Sequence, residues 1–186
     1  VVDAGITIVK GVPDALYNCD EVLAEQAFVG KLFEAGLAVC PALGSLNQKL
    51  VETIEVQDQV LHLVQTTKAF GIELKNCDDP TNVLRQMGTF LAQVHEVSSE
   101  LSNQHFCRPT WSDLPHIQQW ETLTANDSSE LQQSLTQFFK TFKDLNHCDS
   151  EFGLIHGDFH NENLLVDPET SSITVFDFTE CLYSSF

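Results

Sequence analysis

Residues 153–181 read GLIHGDFHNENLLVDPETSSITVFDFTEC, and this stretch decides how the whole chain is interpreted. Two apolar segments, LLV and ITVF, flank the sequence DPETSS and predict a short β-hairpin. The polar side chains here that can bind a ligand or a metal are His156, Asp158, His160, Asn163 and Asp177. A solvated loop has no need of so many ligating groups next to apolar strands, so the stretch predicts a functional site.

The spacing of these side chains is typical of phosphoryl transfer. That reaction needs a carboxylate to orient the acceptor hydroxyl, oxygen ligands for Mg²⁺ and positive charge near the phosphates. Mg²⁺ prefers hard oxygen donors, commonly one or two carboxylates together with the phosphates themselves. In the protein-kinase signature an Asp and an Asn five residues apart are followed, after a hairpin, by a second Asp. Asp158 and Asn163 are five residues apart, and Asp177 follows the predicted hairpin.

The motif HGDFHNEN at 156–163 resembles the His-Gly-Asp-x-His-x-x-Asn motif of the aminoglycoside phosphotransferase and choline kinase-like family, which shares the protein-kinase fold. The segment DFTEC at 177–181 is similar to the metal-binding Asp-Phe-Asp-Asp-Cys segment of a bacterial subgroup of predicted Ser/Thr or small-molecule kinases. Thr179 stands where that subgroup usually has an acid. The resemblance implies an enzyme that uses ATP and Mg²⁺ to phosphorylate a hydroxyl of a small molecule (aminoglycoside, choline or amino alcohol) or a protein Ser/Thr.

The same resemblance implies a role for each residue of the stretch. Asp158 is expected to be the catalytic base, and Asn163 and Asp177 are expected to hold Mg²⁺. We group His156 and His160 with Asp158 in the catalytic loop. His160 stands where protein kinases carry a lysine or arginine, and His156 is expected to brace the loop.

Upstream segments resemble the nucleotide-binding part of the same family. The strand ITIVK ends at Lys10, whose counterpart contacts the α- and β-phosphates. Glu25 in the next helix resembles the acid that positions this lysine, and Glu21, one turn earlier, is the alternative. LHLVQTTKAFG resembles the fifth strand and hinge, where the adenine is expected to meet the backbone of Gln65, Thr66 and Thr67.

Hydrophobic periodicity separates a strand-rich first part from a helical second part. Strands are predicted at 5–10, 50–56, 59–66, 164–166 and 173–176, a linker at 67–71 and an irregular segment at 102–127. Helices are predicted from Asp20, as N-cap, to Gly36, from Pro80 after an Asp79 cap to about Leu101, and from Ser128 or Ser129 to about Leu145.

This order predicts an α+β, protein-kinase-like fold of two lobes. Residues 1–67 are expected to form a partial small lobe and the start of the hinge. Residues 68–186 are expected to form a partial helical large lobe with the catalytic loop and the metal-binding hairpin.

The chain is expected to be truncated at both ends. Only five residues precede Ile6, although the family places a glycine-rich loop and two strands there, and only nine follow Asp177. An inactive kinase-like fragment or a nucleotide-binding regulatory module therefore stays open as an alternative.

A zinc site is another interpretation of His156, Asp158 and His160. Such a site needs its ligands at one tetrahedral centre, each histidine with a partner of its own. The order H-G-D-F-H matches neither His-x-His-x-Asp-His nor His-Glu-x-x-His. The sequence therefore favours phosphoryl transfer.

Composition excludes some partners. The net charge of -18, from 27 acidic and 9 basic residues, argues against nucleic acid and against an anionic membrane surface. No apolar run approaches the roughly 20 residues that span a bilayer, and no signal peptide is recognisable. The six cysteines are at least 21 residues apart and predict reduced thiols in a cytoplasmic protein.

Overall fold

The computed structural model describes residues 2–101, 104–143 and 151–186. The N-terminal sheet has three antiparallel strands, β1 (Val2–Pro13), β2 (Val51–Val56) and β3 (Gln59–Ala69). A helix lies between β1 and β2 in the sequence. Their order in the sheet is β1-β3-β2. Gln57 and Asp58 join β2 to β3 and have φ angles of 50° and 63°. Two positive φ values are what a type I′ hairpin turn requires, so the predicted hairpin is confirmed.

Strands β1 and β3 both extend further than their sequences predict. The sequence patterns place the C-terminal end of each strand three residues too early and make residues 67–71 a linker. In the structure Pro13 still pairs with Leu61 of β3, and Ala69 pairs with Val2 of β1. Cross-strand pairing therefore outweighs the local turn-forming tendency of Gly and Pro.

Helix α1 (Cys19–Glu34) begins two residues earlier than predicted. Its N-cap is Asn18, not Asp20: the Asn18 side chain accepts hydrogen bonds from the backbone N–H groups of Asp20 (3.0 Å) and Glu21 (3.1 Å). Glu21 in turn accepts a hydrogen bond from the Asn18 N–H at 2.9 Å. This reciprocal capping box occupies Glu21, so Glu21 is not the partner of Lys10. Gly36 ends the helix region with φ 88°, as predicted.

The second part of the chain contains most of the helical residues that the structure describes. Asp79 caps helix α2 (Pro80–Glu100) by accepting a hydrogen bond from Asn82 N–H at 3.2 Å, as predicted. Residues 102–127, predicted to be irregular, contain two short helices, α3 (Pro115–Gln118) and α4 (Trp120–Leu123). Helix α5 spans Ser129–Lys143. None of the helices in the described part of the chain is both long and apolar enough to cross a membrane.

Two residues of the sequence predictions, Leu145 of the last helix and Cys148, lie outside the described residues. The other cysteines are free thiols: Cys19, Cys40, Cys77, Cys107 and Cys181.

Two small hairpin-like sheets complete the fold. Strand β4 (Phe152–Ile155) pairs with β7 (Leu182–Ser185), and β5 (Leu164–Val166) pairs with β6 (Ile173–Val175). Strand β6 is one residue shorter than predicted. The β5–β6 hairpin is held on both sides, because Val166 exchanges two 2.8 Å backbone hydrogen bonds with Ile72 and Val175 donates one to Ala38. Leu164 and Val175 are fully buried in the main core. The hairpin is therefore a rigid base for the residues at its ends.

Candidate active site

The turn after β4 depends on a glycine. Gly157 has φ 81°, a conformation that residues with a side chain rarely adopt. A Cβ at this position would lie 2.0 Å from the backbone oxygen of Glu180. The two loops that carry Asp158 and Asp177 therefore touch at this glycine.

His156 braces this turn. Its side chain is buried, and its Nδ1 accepts a hydrogen bond from the Asp158 N–H at 3.3 Å. Nε2 therefore carries the proton and donates to the carbonyl of Phe176 at 3.2 Å. Burial lowers the pKa of His156 below its ordinary value, and the charges of Asp158 and Asp177 only partly oppose this. A neutral His156 with both ring nitrogens engaged is not a zinc ligand.

Asp158, His160 and Asn163 meet in one hydrogen-bonded group. Glu162 N–H donates to His160 Nδ1 at 3.2 Å, so Nε2–H of His160 donates to Asp158 Oδ2 at 3.2 Å. The Asn163 amide donates to the same oxygen at 3.1 Å and to the Asp158 carbonyl at 2.9 Å. Both donors use Oδ2, and the Asp158 side chain is 51% exposed. Within the described part of the chain, the side-chain hydrogen bonds to this carboxylate all go to Oδ2.

Asp177 is placed next to this group by the hairpin. Phe176 N–H donates to the Asn163 carbonyl at 3.0 Å, which fixes the first residue after β6 opposite Asn163. Asp177 itself has φ 62°, an uncommon backbone conformation for a residue with a side chain, and this turns the chain away from the strand.

Lys10 of the N-terminal sheet reaches Asp177 directly. Its Nζ lies 2.5 Å from Asp177 Oδ1 and also contacts Thr179 Oγ1. Thr179 Oγ1 donates to Asp177 Oδ1 at 2.7 Å. Burial alone would raise the pKa of Asp177, but the hydrogen bonds from Lys10 and Thr179 outweigh it and hold that pKa below its ordinary value. Asp177 is therefore a carboxylate at neutral pH.

Glu25 lies nearby but is not the ion-pair partner of Lys10 in the described part of the chain. The ion pair within 4.0 Å that Lys10 forms there is with Asp177. Glu25 is 5% exposed, and burial raises its pKa although the charges of Lys10 and Arg108 oppose the shift. The structure thus has a Lys10–Asp177 ion pair where the resemblance implied a Lys10–Glu25 pair. Glu25 lies on the same cavity wall as both residues.

A cavity of about 540 Å³ lies between the N-terminal sheet, α1 and the β5–β6 hairpin. This volume falls within the usual range for small-molecule sites. The predicted site residues on its wall are Lys10, Glu25, Thr66, Thr67 and Asp177. Apolar side chains, among them Val29, Val64 and Leu165, form much of the remaining lining.

Other predicted site residues lie off this wall. Asp158, His160 and Asn163 stand on the adjoining loop, and Gln65 lies in β3. The Gln65 carbonyl accepts a hydrogen bond from Leu43 N–H at 2.7 Å, so one of its lone pairs is already used by the chain. The residues of β3 that line the cavity are Val64 and residues 66–69.

The donor set fits a nucleotide with a hard divalent cation. Asp177 offers a carboxylate, and Asn163 offers its amide oxygen because its amide nitrogen is turned to Asp158. Lys10 supplies positive charge at the mouth of an apolar cavity that can take a planar base.

Sequence reasoning missed two residues of this site. The Thr179 hydroxyl contacts both Lys10 and Asp177, although the sequence showed only a departure from the usual acid. Arg108 binds the backbone behind Asp177, and nothing local in the sequence indicated this. The one feature of the sequence that could have drawn attention to Arg108 is that the chain has only two arginines, Arg85 and Arg108.

A comparison with protein families decides the assignment. The model described as the phosphotransferase enzyme family matches residues 7–186. The chain belongs to this family. The resemblance drawn from HGDFHNEN and DFTEC is therefore confirmed. No curated protein matches the sequence.

Solved structures of kinases share the fold of this phosphotransferase-family chain. An amicoumacin kinase in complex with AMP-PNP, Ca²⁺ and Ami is 19% identical, with TM-score 0.81 over 96% of this chain and 54% of its own. A microcompartment-associated aminopropanol kinase is 21% identical, with TM-score 0.78 over 96% of this chain and 59% of its own. The aminoglycoside phosphotransferase APH(4)-Ia, in a ternary complex with AMP-PNP and hygromycin B, is 20% identical, with TM-score 0.54 over 87% and 57%.

These likenesses confirm the predicted α+β, kinase-like fold. The chain spans little more than half the length of these relatives.

Proposed function

We propose that the chain carries the nucleotide and metal site of a phosphotransferase that moves the γ-phosphoryl group of ATP to a hydroxyl of a small molecule. The observation that carries the proposal is the contact of Lys10 with Asp177 at the wall of the cavity. It brings a cation from the N-terminal sheet and a carboxylate from the metal hairpin to one place, next to the Asp158 loop.

The nucleotide occupies the cavity between a small lobe, ending near residue 67, and a helical large lobe. Its base lies among apolar side chains and the backbone of residues 66–69. Lys10 binds the phosphates, and the buried Glu25 side chain lies near it on the same cavity wall. Asn163 and Asp177 hold Mg²⁺, which neutralises charge on the phosphates when it is bound.

Asp158 orients the acceptor hydroxyl and takes its proton. The hydroxyl oxygen bonds to the γ-phosphorus, the bond from that phosphorus to the bridging oxygen breaks, and ADP leaves. His160 and Asn163 fix the carboxylate by their hydrogen bonds to Oδ2, so that Oδ1 faces the substrate. His156 holds the turn and takes no part in the proton transfer.

The acceptor class that we propose is a cationic small molecule with a hydroxyl, such as an amino alcohol or an aminoglycoside. One structural neighbour is an aminopropanol kinase, and another is an amicoumacin kinase. The net charge of -18 favours approach of a cationic acceptor over an anionic one. A protein Ser or Thr is the competing acceptor, and a screen that includes both kinds separates them.

Titration of ATP with and without Mg²⁺, followed by thermal unfolding, tests the site. Mass action predicts stabilisation of about 2.7 kcal/mol when ATP is at 100 times Kd. We expect Mg²⁺ to increase this stabilisation in the wild type, and we expect the Mg²⁺-dependent increase to be lost in Asp177→Ala, because Asp177 holds the metal. Asp158→Asn should keep it and lose turnover by about 10²–10⁴-fold.

The matched controls are Asp127→Asn and Asp127→Ala, since Asp127 is exposed and lies outside the site. Full turnover in both site variants, or a Mg²⁺-dependent increase in ATP stabilisation that Asp177→Ala leaves intact, would contradict the proposal.

A further inference from the structure

Arg108 is a buried cation that the proposed chemistry does not use. It is 6% exposed, and its guanidinium binds three backbone carbonyls. Nε donates to the Cys181 carbonyl at 2.7 Å, Nη2 donates to the Thr179 carbonyl, and Nη1 donates to the Glu21 carbonyl at 3.3 Å. One side chain thus joins two parts of the chain that are far apart in sequence.

The first of these parts is residues 177–181, here called the Asp177 loop. Its carbonyls at Thr179 and Cys181 follow the proposed metal ligand by two and four residues. The second part is the first turn of α1, whose next turn carries Glu25 to the cavity wall. Arg108 therefore connects the Asp177 loop, which carries the proposed metal ligand, to the N-terminal turn of α1.

Two further contacts support the same loop. The Tyr17 ring lies under the Arg108 guanidinium at 4.4 Å, and the Tyr17 hydroxyl donates to Glu180 Oε2 at 2.9 Å. On the opposite side, Gly157 approaches the Glu180 carbonyl so closely that no side chain fits between them. The Asp177 loop is thus held by α1, by the segment around Arg108 and by the catalytic turn.

We propose that Arg108 is a positioning residue: it fixes the Asp177 loop against α1, so that the Asp177 carboxylate stays at the place where the proposed site holds Mg²⁺. This inference rests on the proposed function for the role of Asp177 in metal binding. Arg108 touches neither Asp177 nor the cavity, and it acts through the backbone of Thr179 and Cys181.

The geometry requires arginine at this position. A guanidinium presents five N–H donors in a rigid planar fork, whereas a lysine ammonium is a compact group that cannot reach three separated carbonyls at once. Arg108→Lys therefore keeps the charge near Glu25 and removes the fork. Arg85→Lys, at the exposed arginine on α2, is the matched control.

The test combines two measurements on the same chains. Amide hydrogen exchange, without nucleotide, compares residues 177–181 with α2. Titration of Mg²⁺ at fixed ATP, together with ATP binding in the absence of Mg²⁺, then reports on metal binding. In Arg108→Lys we expect exchange to rise in residues 177–181 but not in α2. We also expect the Mg²⁺ affinity to fall about 10–100-fold, as for other residues that orient metal ligands, while metal-free ATP affinity is unchanged.

Tyr17→Phe is a milder second variant. It keeps the ring under Arg108 and removes the hydroxyl that donates to Glu180, so a smaller change of the same kind is expected.

Several outcomes would overturn the inference. Unchanged exchange in residues 177–181, or unchanged Mg²⁺ affinity while the wild type binds Mg²⁺–ATP, would show that Arg108 does not position the loop. Faster exchange throughout the chain would show that it serves the fold in general. If the wild type itself shows no Mg²⁺-dependent ATP binding, the proposed function fails, and the exchange comparison still decides whether Arg108 holds the loop.

Discussion

At the scale of the single residue, the two histidines of the HGDFHNEN motif at 156–163 differ in burial. His156 is 1% exposed and uses both ring nitrogens inside the protein. The His160 side chain is 41% exposed and donates to Asp158 at the surface. Two histidines four residues apart in one motif therefore have different duties: His156 maintains the backbone, and His160 orients a carboxylate.

The state of His156 predicts an acid-sensitive fold. Burial puts its pKa in the folded protein below the ordinary value of 6.5, so below that pH the unfolded chain binds more protons than the folded one. The stabilisation is complete above the unfolded pKa and is lost as the pH falls through the folded pKa. We expect urea unfolding between about pH 7.5 and about pH 5 to show this loss in the wild type and a weaker loss in His156→Gln.

The control is His116→Gln, at an exposed histidine, which should keep the pH dependence of the wild type. Equal pH slopes in the wild type and His156→Gln would contradict the assignment. The depressed pKa of Asp177 acts in the same direction, but in a window below its ordinary value of 3.8, and does not interfere.

At the scale of the element, the backbone of the turn at Gly157 packs against the backbone of the Asp177 loop. Gly157→Ala would put its Cβ 2.0 Å from the Glu180 carbonyl oxygen and would also force an alanine to φ 81°. Neither strain can be relieved by a side-chain rotation. We expect the free energy of unfolding to fall by about 1–3 kcal/mol, measured by urea denaturation.

Gly88→Ala is the matched control for this prediction. Gly88 lies within α2, where nothing stands within 4 Å of an added Cβ. The same substitution there should raise the free energy of unfolding by about 0.5–1 kcal/mol, because alanine costs less backbone entropy in a helix. A loss of stability at Gly88 as large as that at Gly157 would show that the close approach to Glu180 is not the cause.

Elements built from local signals could be predicted from the sequence. The turn at Gln57 and Asp58 and the Asp79 cap depend on neighbouring residues alone, and the structure has both. The C-terminal ends of β1 and β3 depend on partners 48 and 67 residues away in the sequence (Pro13 with Leu61, Ala69 with Val2), so local patterns ended them too early. The N-cap of α1 was misplaced because Asn18 and Asp20 are both good caps and only the reciprocal bond with Glu21 decides between them.

The residues of the candidate site also differ in whether neighbouring residues alone determine their positions. Asp158, Asn163 and Asp177 lie in one local motif, and the hairpin that the sequence predicts brings them together. The choice of Lys10 between Glu25 and Asp177 could not be predicted, because it depends on where α1 sits relative to the hairpin. Arg108 is a stronger case, since its acceptors are backbone carbonyls, which every sequence contains.

At the scale of the whole molecule, the excess of negative charge opposes compactness. A net charge of -18 repels itself more in the folded state than in the expanded chain. We expect the unfolding temperature to rise with NaCl, most of the change coming by about 0.15 M, where the Debye length is about 8 Å. Thermal scans in NaCl and KCl at equal ionic strength measure this and should agree, because screening does not depend on the cation. A fall in unfolding temperature with salt would show that attractive ion pairs dominate.

The Lys10–Asp177 contact also affects the order in which the molecule becomes competent. Its partners are separated by 167 positions in the sequence. At a synthesis rate of about 5–20 residues per second, roughly 8–30 s pass between the two residues leaving the ribosome. The three described strands of the N-terminal sheet are complete by residue 69 and can form early in that interval, but Asp177 is not available to Lys10 until the interval ends. A nascent chain that stalls before residue 177 therefore has these three strands but lacks the proposed metal ligand, so on the proposed function Mg²⁺-dependent ATP binding requires that translation has passed this point.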